Sequence, residues 1–116
     1  MLDKINLSGY IKVVQIMEKR RCTYELEEIK AAFQTEDDLR MTRTARQCTV
    51  ELEIGLEDVV KIIQTLTTQN FYKSMTTYAD AHVWQDVYHA QFGQLRLYIK
   101  FMKDDEGHLI ISFKQR

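Results

Sequence analysis

Two runs of alternating apolar and polar side chains, at 94–102 and 108–114, constrain the fold more than any other feature of the chain. The apolar residues that share one phase are Leu95, Leu97, Ile99, Phe101, Leu109, Ile111 and Phe113. Successive side chains of a β-strand point to opposite faces, so each run predicts a strand with one apolar face. Residues 103–107 are polar and end in a glycine, which predicts the turn between the strands. The sequence therefore predicts an antiparallel hairpin packed on a core.

The opposite face of this hairpin carries polar side chains with useful chemistry. They are Arg96, Tyr98, Lys100, Ser112 and Lys114. Two amines and a phenol can bind a phosphate and transfer protons without a metal ion. The alternative is a solvated sheet face with ordinary lysines. No His, Asp or Glu cluster has metal-ligand spacing and no glycine-rich phosphate loop is present, so we expect neither a metal nor a cofactor.

The residues before the hairpin predict helices followed by further strands. Apolar side chains recur at helical spacing in 7–19, 23–34 and 56–67. Thr23 is a suitable N-cap for the second of these helices. Residues 41–44 fit a short strand, and 45–54 are ambiguous, although their alternation favours a strand. A strand at 83–88 is joined to the hairpin through Gly93, so the order of elements predicts an α+β fold: N-terminal helices packed on a C-terminal antiparallel sheet.

Residues 71–88 mix aromatic side chains with hydroxyl groups, an amide and an amine, as expected for a sheet surface that binds RNA. Lys73 is flanked by aromatic residues; it is either a partly buried amine suited to catalysis or one that reaches past its neighbours to water. Gln85 either orients a substrate or is a structural amide. The aromatic residues that either stack on bases or belong to the core are Tyr72, Tyr78, Trp84 and Tyr88.

The bulk properties predict one soluble cytoplasmic domain. The chain has 116 residues and a net charge of −1, so an RNA site must be a local basic cluster. No apolar run approaches the roughly 20 residues of a membrane span, and we identify no signal peptide. The two cysteines, Cys22 and Cys48, have no CxxC partner and predict free cytosolic thiols.

Three motifs resemble those of the motility quorum-sensing regulator (MqsR) family of bacterial toxins. They are FYKSMTTYADAHVWQDVY at 71–88, LYIK at 97–100 and ISFK at 111–114. The resemblance implies a RelE-like toxin fold and a metal-independent endoribonuclease, an mRNA interferase that cuts mRNA and arrests growth. It also implies a cognate antitoxin that binds zinc and DNA and neutralises the toxin.

The resemblance also implies which residues are functional. The family's catalytic positions correspond here to Lys73, Gln85, Tyr98 and Lys114, and the neighbouring Arg96 and Lys100 are expected to bind RNA. The chain departs from the family at His89-Ala90, where a more basic stretch is expected. Met17-Glu18-Lys19-Arg20 resembles the family's usual start, so we expect an extension at 1–16 and a single toxin domain at 17–116.

The implied mechanism is attack of the RNA's own 2′-OH on the adjacent phosphate, leaving a 2′,3′-cyclic phosphate and a 5′-OH. Lys73 and Lys114 would neutralise phosphate charge, either of them could act as a base, Tyr98 would donate a proton, and Gln85 would position the substrate. The alternative is a non-catalytic regulator that uses the same face to bind a nucleic acid or a protein without cutting it.

Overall fold

The computed structural model describes residues 16–78 and 80–116. Within them the elements, in chain order, are β1 (Glu18–Lys19), α1 (Leu26–Ala32), α2 (Arg43–Glu51), α3 (Leu56–Thr65), β2 (Phe71–Thr76), β3 (Trp84–Phe92), β4 (Leu95–Lys103) and β5 (Leu109–Gln115). Single 3-10 turns occur at Glu36–Asp38 and Thr68–Asn70. The strands form one antiparallel sheet in the order β1-β2-β3-β4-β5. The α+β prediction is confirmed.

The predicted hairpin is β4 and β5, and its apolar phase is the core face of the sheet. Leu97, Ile99, Phe101 and Ile111 have no exposed surface. The turns that flank β4 contain glycines with φ values of 59° at Gly93 and 85° at Gly107, a region that L side chains rarely adopt. The burial of these apolar side chains on one face fixes the register of the hairpin, because a slip by one residue would expose all of them.

Helix α3 confirms the helix predicted at 56–67. Val59, Ile62 and Ile63 form its buried stripe. Asp58 accepts a hydrogen bond from the N–H of Gly55 at 3.1 Å, which satisfies a donor at the start of the helix. The acidic first turn also interacts favourably with the positive end of the helix dipole.

Helix α1 begins at Leu26, three residues later than the N-cap predicted at Thr23. The N–H groups of Thr23 and Tyr24 donate instead to the buried carboxylate of Asp86 on β3, at 2.8 Å for the shorter contacts. This long-range contact holds residues 23–24 in a non-helical conformation against the sheet.

The strand predicted at 45–54 is wrong, because these residues form most of helix α2. Thr42 caps the helix by accepting a hydrogen bond from the N–H of Ala45 at 3.0 Å. Ala45 and Thr49, four residues apart, are buried, whereas Val50 is 77% exposed. The short strand predicted at 41–44 is also wrong: it reduces to one parallel bridge between Met41 and Ile111.

The helix predicted at 7–19 falls largely on residues 1–15, which lie outside the described residues. The C-terminal end of this predicted helix is wrong, because Glu18–Lys19 is strand β1 and pairs with Met75 and Ser74 of β2. In the described part of the chain, no helix is long and apolar enough to cross a membrane.

Candidate functional site

A β-bulge in β2 brings two consecutive side chains to the face of the sheet that points away from the helices, here called the open face. Phe71 pairs with Tyr88 and Lys73 pairs with Val87, so Tyr72 is an extra residue between them. The Phe71 ring packs edge-on against the buried ring of Tyr88, with centroids 5.5 Å apart. Tyr72 and Lys73 then both lie on the open face, which simple alternation does not allow.

A shallow hollow of about 190 Å³ on the open face collects most of the predicted site. Its lining residues are Tyr72, Lys73, Met75, Val87, Tyr98, Lys100 and Lys114. Three of the four residues carried over as catalytic, and one of the two expected to bind RNA, therefore line one depression. Their separation along the sequence is large, so the sheet register brings them together.

Gln85 and Arg96 lie outside the lining of this hollow. Gln85 is half-buried and pairs with Met75, so it shares the open face at one end of the site. Arg96 is exposed and pairs with Gln91, at the opposite end of β3. A substrate longer than one nucleotide would be needed to contact either residue together with the hollow.

The three amines of the hollow, Lys73, Lys100 and Lys114, form what we call the lysine cluster. Val87 pairs with Lys73 on one side and with Lys100 on the other, and Tyr98 pairs with Lys114. Burial, and then the like charges of Lys114 and Lys73, lower the pKa of Lys100 from its ordinary value. A cluster of positive charges that disfavour one another is stabilised by an anion such as a phosphate.

An aromatic layer borders the lysine cluster. The rings of Tyr72, His89 and Tyr98 contact one another, with centroids 4.4 Å apart for Tyr72 and His89, 5.2 Å for His89 and Tyr98, and 6.3 Å for Tyr72 and Tyr98. The Arg116 guanidinium lies 5.6 Å from the Tyr98 ring centroid. Tyr72 is 38% exposed, so the layer has an open ring face on which a base could stack.

The other candidate stacking residues have different surroundings. Tyr88 belongs to the core and is only 2% exposed. Trp84 is half-buried, and the Lys19 ammonium lies 4.2 Å from its ring centroid. Tyr78 is 78% exposed, in the loop between β2 and β3. Of the four aromatics, Tyr72 is the one that joins the lysine cluster.

His89 was given no role by the sequence, yet it lies beside the candidate site. Its Nε2 is buried and, within the described residues, has no hydrogen-bond partner. Burial, and then the positive charge of Arg116, lower the pKa of the imidazole. No spacing rule predicts this position, because it depends on contacts with Tyr72 and Tyr98 from two other strands.

We expect His89→Phe to raise the melting temperature, with a larger gain at acidic pH. Phenylalanine keeps the stacked ring and removes a buried polar atom whose lack of a partner costs about 1 kcal/mol or more. Because the folded state lowers the pKa of His89, the unfolded chain binds more protons, and wild-type stability falls as the pH drops below the ordinary histidine range. Melting curves of both proteins between about pH 8 and 5 measure the difference; parallel curves would contradict this prediction.

Glu18, on β1, forms an ion pair with Lys73 across the β1–β2 pairing. The side chain of Lys73 is 18% exposed and that of Glu18 is 47% exposed. The sequence did not identify Glu18 as a site residue, because the helical spacing of 7–19 concealed the strand. Because β1 pairs with β2, the Glu18 carboxylate lies at the edge of the lysine cluster.

The turn between β4 and β5 groups three side chains of metal-binding type that spacing rules missed. Ligand atoms of Asp104, Glu106 and His108 lie within 4.8 Å of one another. The turn itself explains the grouping, because an Asp104 carboxylate oxygen accepts hydrogen bonds from the N–H groups of Glu106 and His108, at 2.9 and 2.8 Å. These hydrogen bonds lower the pKa of Asp104.

Asp86, next to Gln85, is a structural carboxylate on the core face of the sheet. It has no exposed surface and accepts three backbone hydrogen bonds from Thr23 and Tyr24. Burial and the nearby Asp86 charge raise the pKa of Tyr88 well above its ordinary value. The aspartate of the WQDVY motif thus anchors the segment before α1, whereas its neighbouring glutamine lies on the open face.

Comparisons with known proteins point to one family. Residues 21–115 match the family model described as "Motility quorum-sensing regulator, toxin of MqsA". The chain is also 37% identical, over 102 residues, to the "mRNA interferase toxin MqsR" of Escherichia coli (strain K12). That match covers 86% of this chain and 100% of the relative.

Proposed function

Because the chain belongs to the motility quorum-sensing regulator toxin family, we propose that it is an endoribonuclease, an mRNA interferase that arrests growth by cutting mRNA. The observation that carries this proposal is the hollow in which Lys73, Lys100 and Lys114 meet Tyr98. A patch of three amines on a protein with a net charge of −1 is a local anion site. Beside it, the exposed ring of Tyr72 offers a surface for a base.

In the proposed reaction the 2′-OH of one nucleotide attacks the adjacent phosphate, and the bond to the 5′-oxygen breaks. The ammonium groups of Lys73 and Lys114 neutralise charge that develops on the phosphate oxygens. Tyr98, paired with Lys114, donates a proton to the leaving 5′-oxygen. Gln85 contacts the neighbouring part of the substrate from its end of the open face, and Lys100 and Arg96 bind the RNA backbone.

The wider biological setting is proposed from the same family membership. The toxin would act in the cytoplasm and adopt a RelE-like arrangement, for which the helices on one face of an antiparallel sheet give support. Its partners would be mRNA and a cognate antitoxin that binds zinc and DNA and neutralises the toxin.

We expect RNA cleavage to continue in excess chelator, because the proposed reaction uses amines and a phenol. The measurement is cleavage of an end-labelled mixed mRNA pool by the full chain, with and without EDTA. The products should carry 2′,3′-cyclic phosphate and 5′-OH ends. Lys114→Ala protein, purified in parallel, controls for contaminating nucleases. Loss of cleavage in EDTA that Mg²⁺ restores would contradict metal independence, and RNA that is bound but never cut would favour the non-catalytic regulator.

We further propose that residues 17–116 form the toxin domain and that 1–16 are a dispensable extension. Within the described residues, Met17 lies just before β1 and already contacts β2: its N–H donates to the Thr76 hydroxyl at 2.9 Å and its carbonyl accepts from the Thr76 N–H at 2.9 Å. A protein comprising 17–116 should therefore keep the wild-type melting temperature and cleavage rate. A loss of several kcal/mol of stability, as expected if a helix of this extension docked two apolar side chains on the core, would show that 1–16 belong to the fold.

A further inference from the structure

The proposed reaction needs a group that accepts the proton of the attacking 2′-OH, and the lysine cluster does not supply one readily. Amines and phenols ordinarily keep their protons at neutral pH, so they are better donors than acceptors. A carboxylate is in its proton-accepting form throughout the neutral range. Among residues 16–78 and 80–116, Glu18 is the carboxylate that pairs with a lysine of the cluster.

The position of Glu18 is fixed by the strand pairing. Glu18 pairs with Met75, which lines the hollow, and the next residue, Lys19, pairs with Ser74. One carboxylate oxygen accepts the hydrogen bond from the Lys73 Nζ. The side chain remains 47% exposed, so a substrate hydroxyl can approach it from solvent.

His89 is the rival acceptor on the open face. Its ring contacts both Tyr72 and Tyr98, and its Nε2 is buried. A substrate hydroxyl could reach that nitrogen only if the neighbouring side chains moved. Glu18 is reached without such a rearrangement, which decides between the two.

We propose that Glu18 is the general base of RNA cleavage, an inference that rests on the proposed function. The 2′-O–H bond breaks and its proton passes to a Glu18 carboxylate oxygen, while the 2′-oxygen forms a bond to phosphorus. The bond between phosphorus and the 5′-oxygen breaks, and the 5′-oxygen takes a proton from Tyr98. The carboxylic acid of Glu18 then releases its proton to water, and Tyr98 recovers one from water, so the step is balanced without a co-reactant.

The test compares variants of the full chain on an RNA oligonucleotide that contains a site mapped with the wild type. Glu18→Gln keeps an acceptor for Lys73 but removes the base, so we expect kcat to fall about 100-fold with little change in KM. Glu28→Gln is the matched control: Glu28 forms a comparable surface ion pair with Lys103, at 3.0 Å, outside the hollow. It should keep the wild-type kcat.

Chemical rescue tests whether Glu18 acts as a base or only as a counter-ion to Lys73. Added formate should restore cleavage by Glu18→Ala, because a small carboxylate can occupy the space, and should not restore cleavage by Lys73→Ala. If Glu18 only neutralised Lys73, Glu18→Gln would keep kcat and bind RNA more tightly, and that result would overturn the inference. A folded His89→Phe variant that loses kcat while Glu18→Gln retains it would also overturn it. If the wild type cuts no RNA, that result contradicts the proposed function itself, and the role proposed for Glu18 is contradicted as well.

Discussion

Lys73→Ala, Tyr98→Phe and Lys114→Ala should each lower the rate of RNA cleavage at least tenfold, a rise of about 1.4 kcal/mol in the barrier. All three side chains line the same hollow on the open face, so each change removes a charge or a proton donor from the point where the phosphate would bind. The two lysine changes remove cationic charge that stabilises the transition state, and Tyr98→Phe removes only a hydroxyl group. Single-turnover cleavage of the mapped oligonucleotide measures the three effects.

The matched control for the lysine changes is Lys103→Ala. Lys103 ends β4, pairs with Glu28 and lies outside the hollow, so its loss should leave cleavage unchanged. Thermal melting checks that each variant is folded. Lys114 is exposed and its like charge disfavours the charged form of Lys100, so Lys114→Ala should melt no lower than the wild type, whereas Lys73→Ala also loses the ion pair with Glu18 and should melt slightly lower. Folded variants with full activity would show that the residues carried over from the family are not the catalytic ones here.

Asp86→Ala should destabilise the fold by about 3 kcal/mol, which lowers the melting temperature by about 10 °C or more in a domain of this size. The change leaves the N–H groups of Thr23 and Tyr24 without their acceptor, beside a new cavity in a fully buried position. Charge-assisted hydrogen bonds of this kind are the strong ones in proteins. Denaturant titration of the wild type and the variant gives the difference in the free energy of unfolding.

Asp105→Ala is the control for this experiment, because Asp105 is an exposed residue of the β4–β5 turn. It should change the free energy of unfolding by less than about 0.5 kcal/mol. An Asp86→Ala protein as stable as this control would mean that the carboxylate does not anchor the segment before α1.

The sequence predicted the β4–β5 hairpin well because burial on one side imposes strict alternation there. It failed at α2 because Cys48 and Leu52, four residues apart, fit both a strand phase and a helical stripe. The buried set observed, Ala45 and Thr49, follows the helical period. Propensity did not separate the two interpretations, since Thr49 and Val50 favour strands. The packing of this segment against β5 selects the helix over the strand.

Local sequence patterns placed only part of the candidate site. Tyr98 and Lys114 were placed together by the alternation of one hairpin, and the structure pairs them directly. Lys73 was singled out by its aromatic neighbours and by the family resemblance, but the strand phase did not place it on the same face, because the extra residue Tyr72 shifts the phase of β2. Glu18 was missed altogether, since a strand of two residues has no detectable period. Contacts between distant segments therefore supplied what local patterns could not.

The bulge at Tyr72 makes the length of the segment 71–73 as important as its composition. Deleting Tyr72 would remove the extra residue, and Phe71 would stay on the core face and Lys73 on the open face in continuous alternation. The deletion would therefore take away the exposed ring beside the lysine cluster, while the amine and the core ring keep their places. The bulge thus adds an aromatic ring to the open face while the core side of β2 keeps its register with β3.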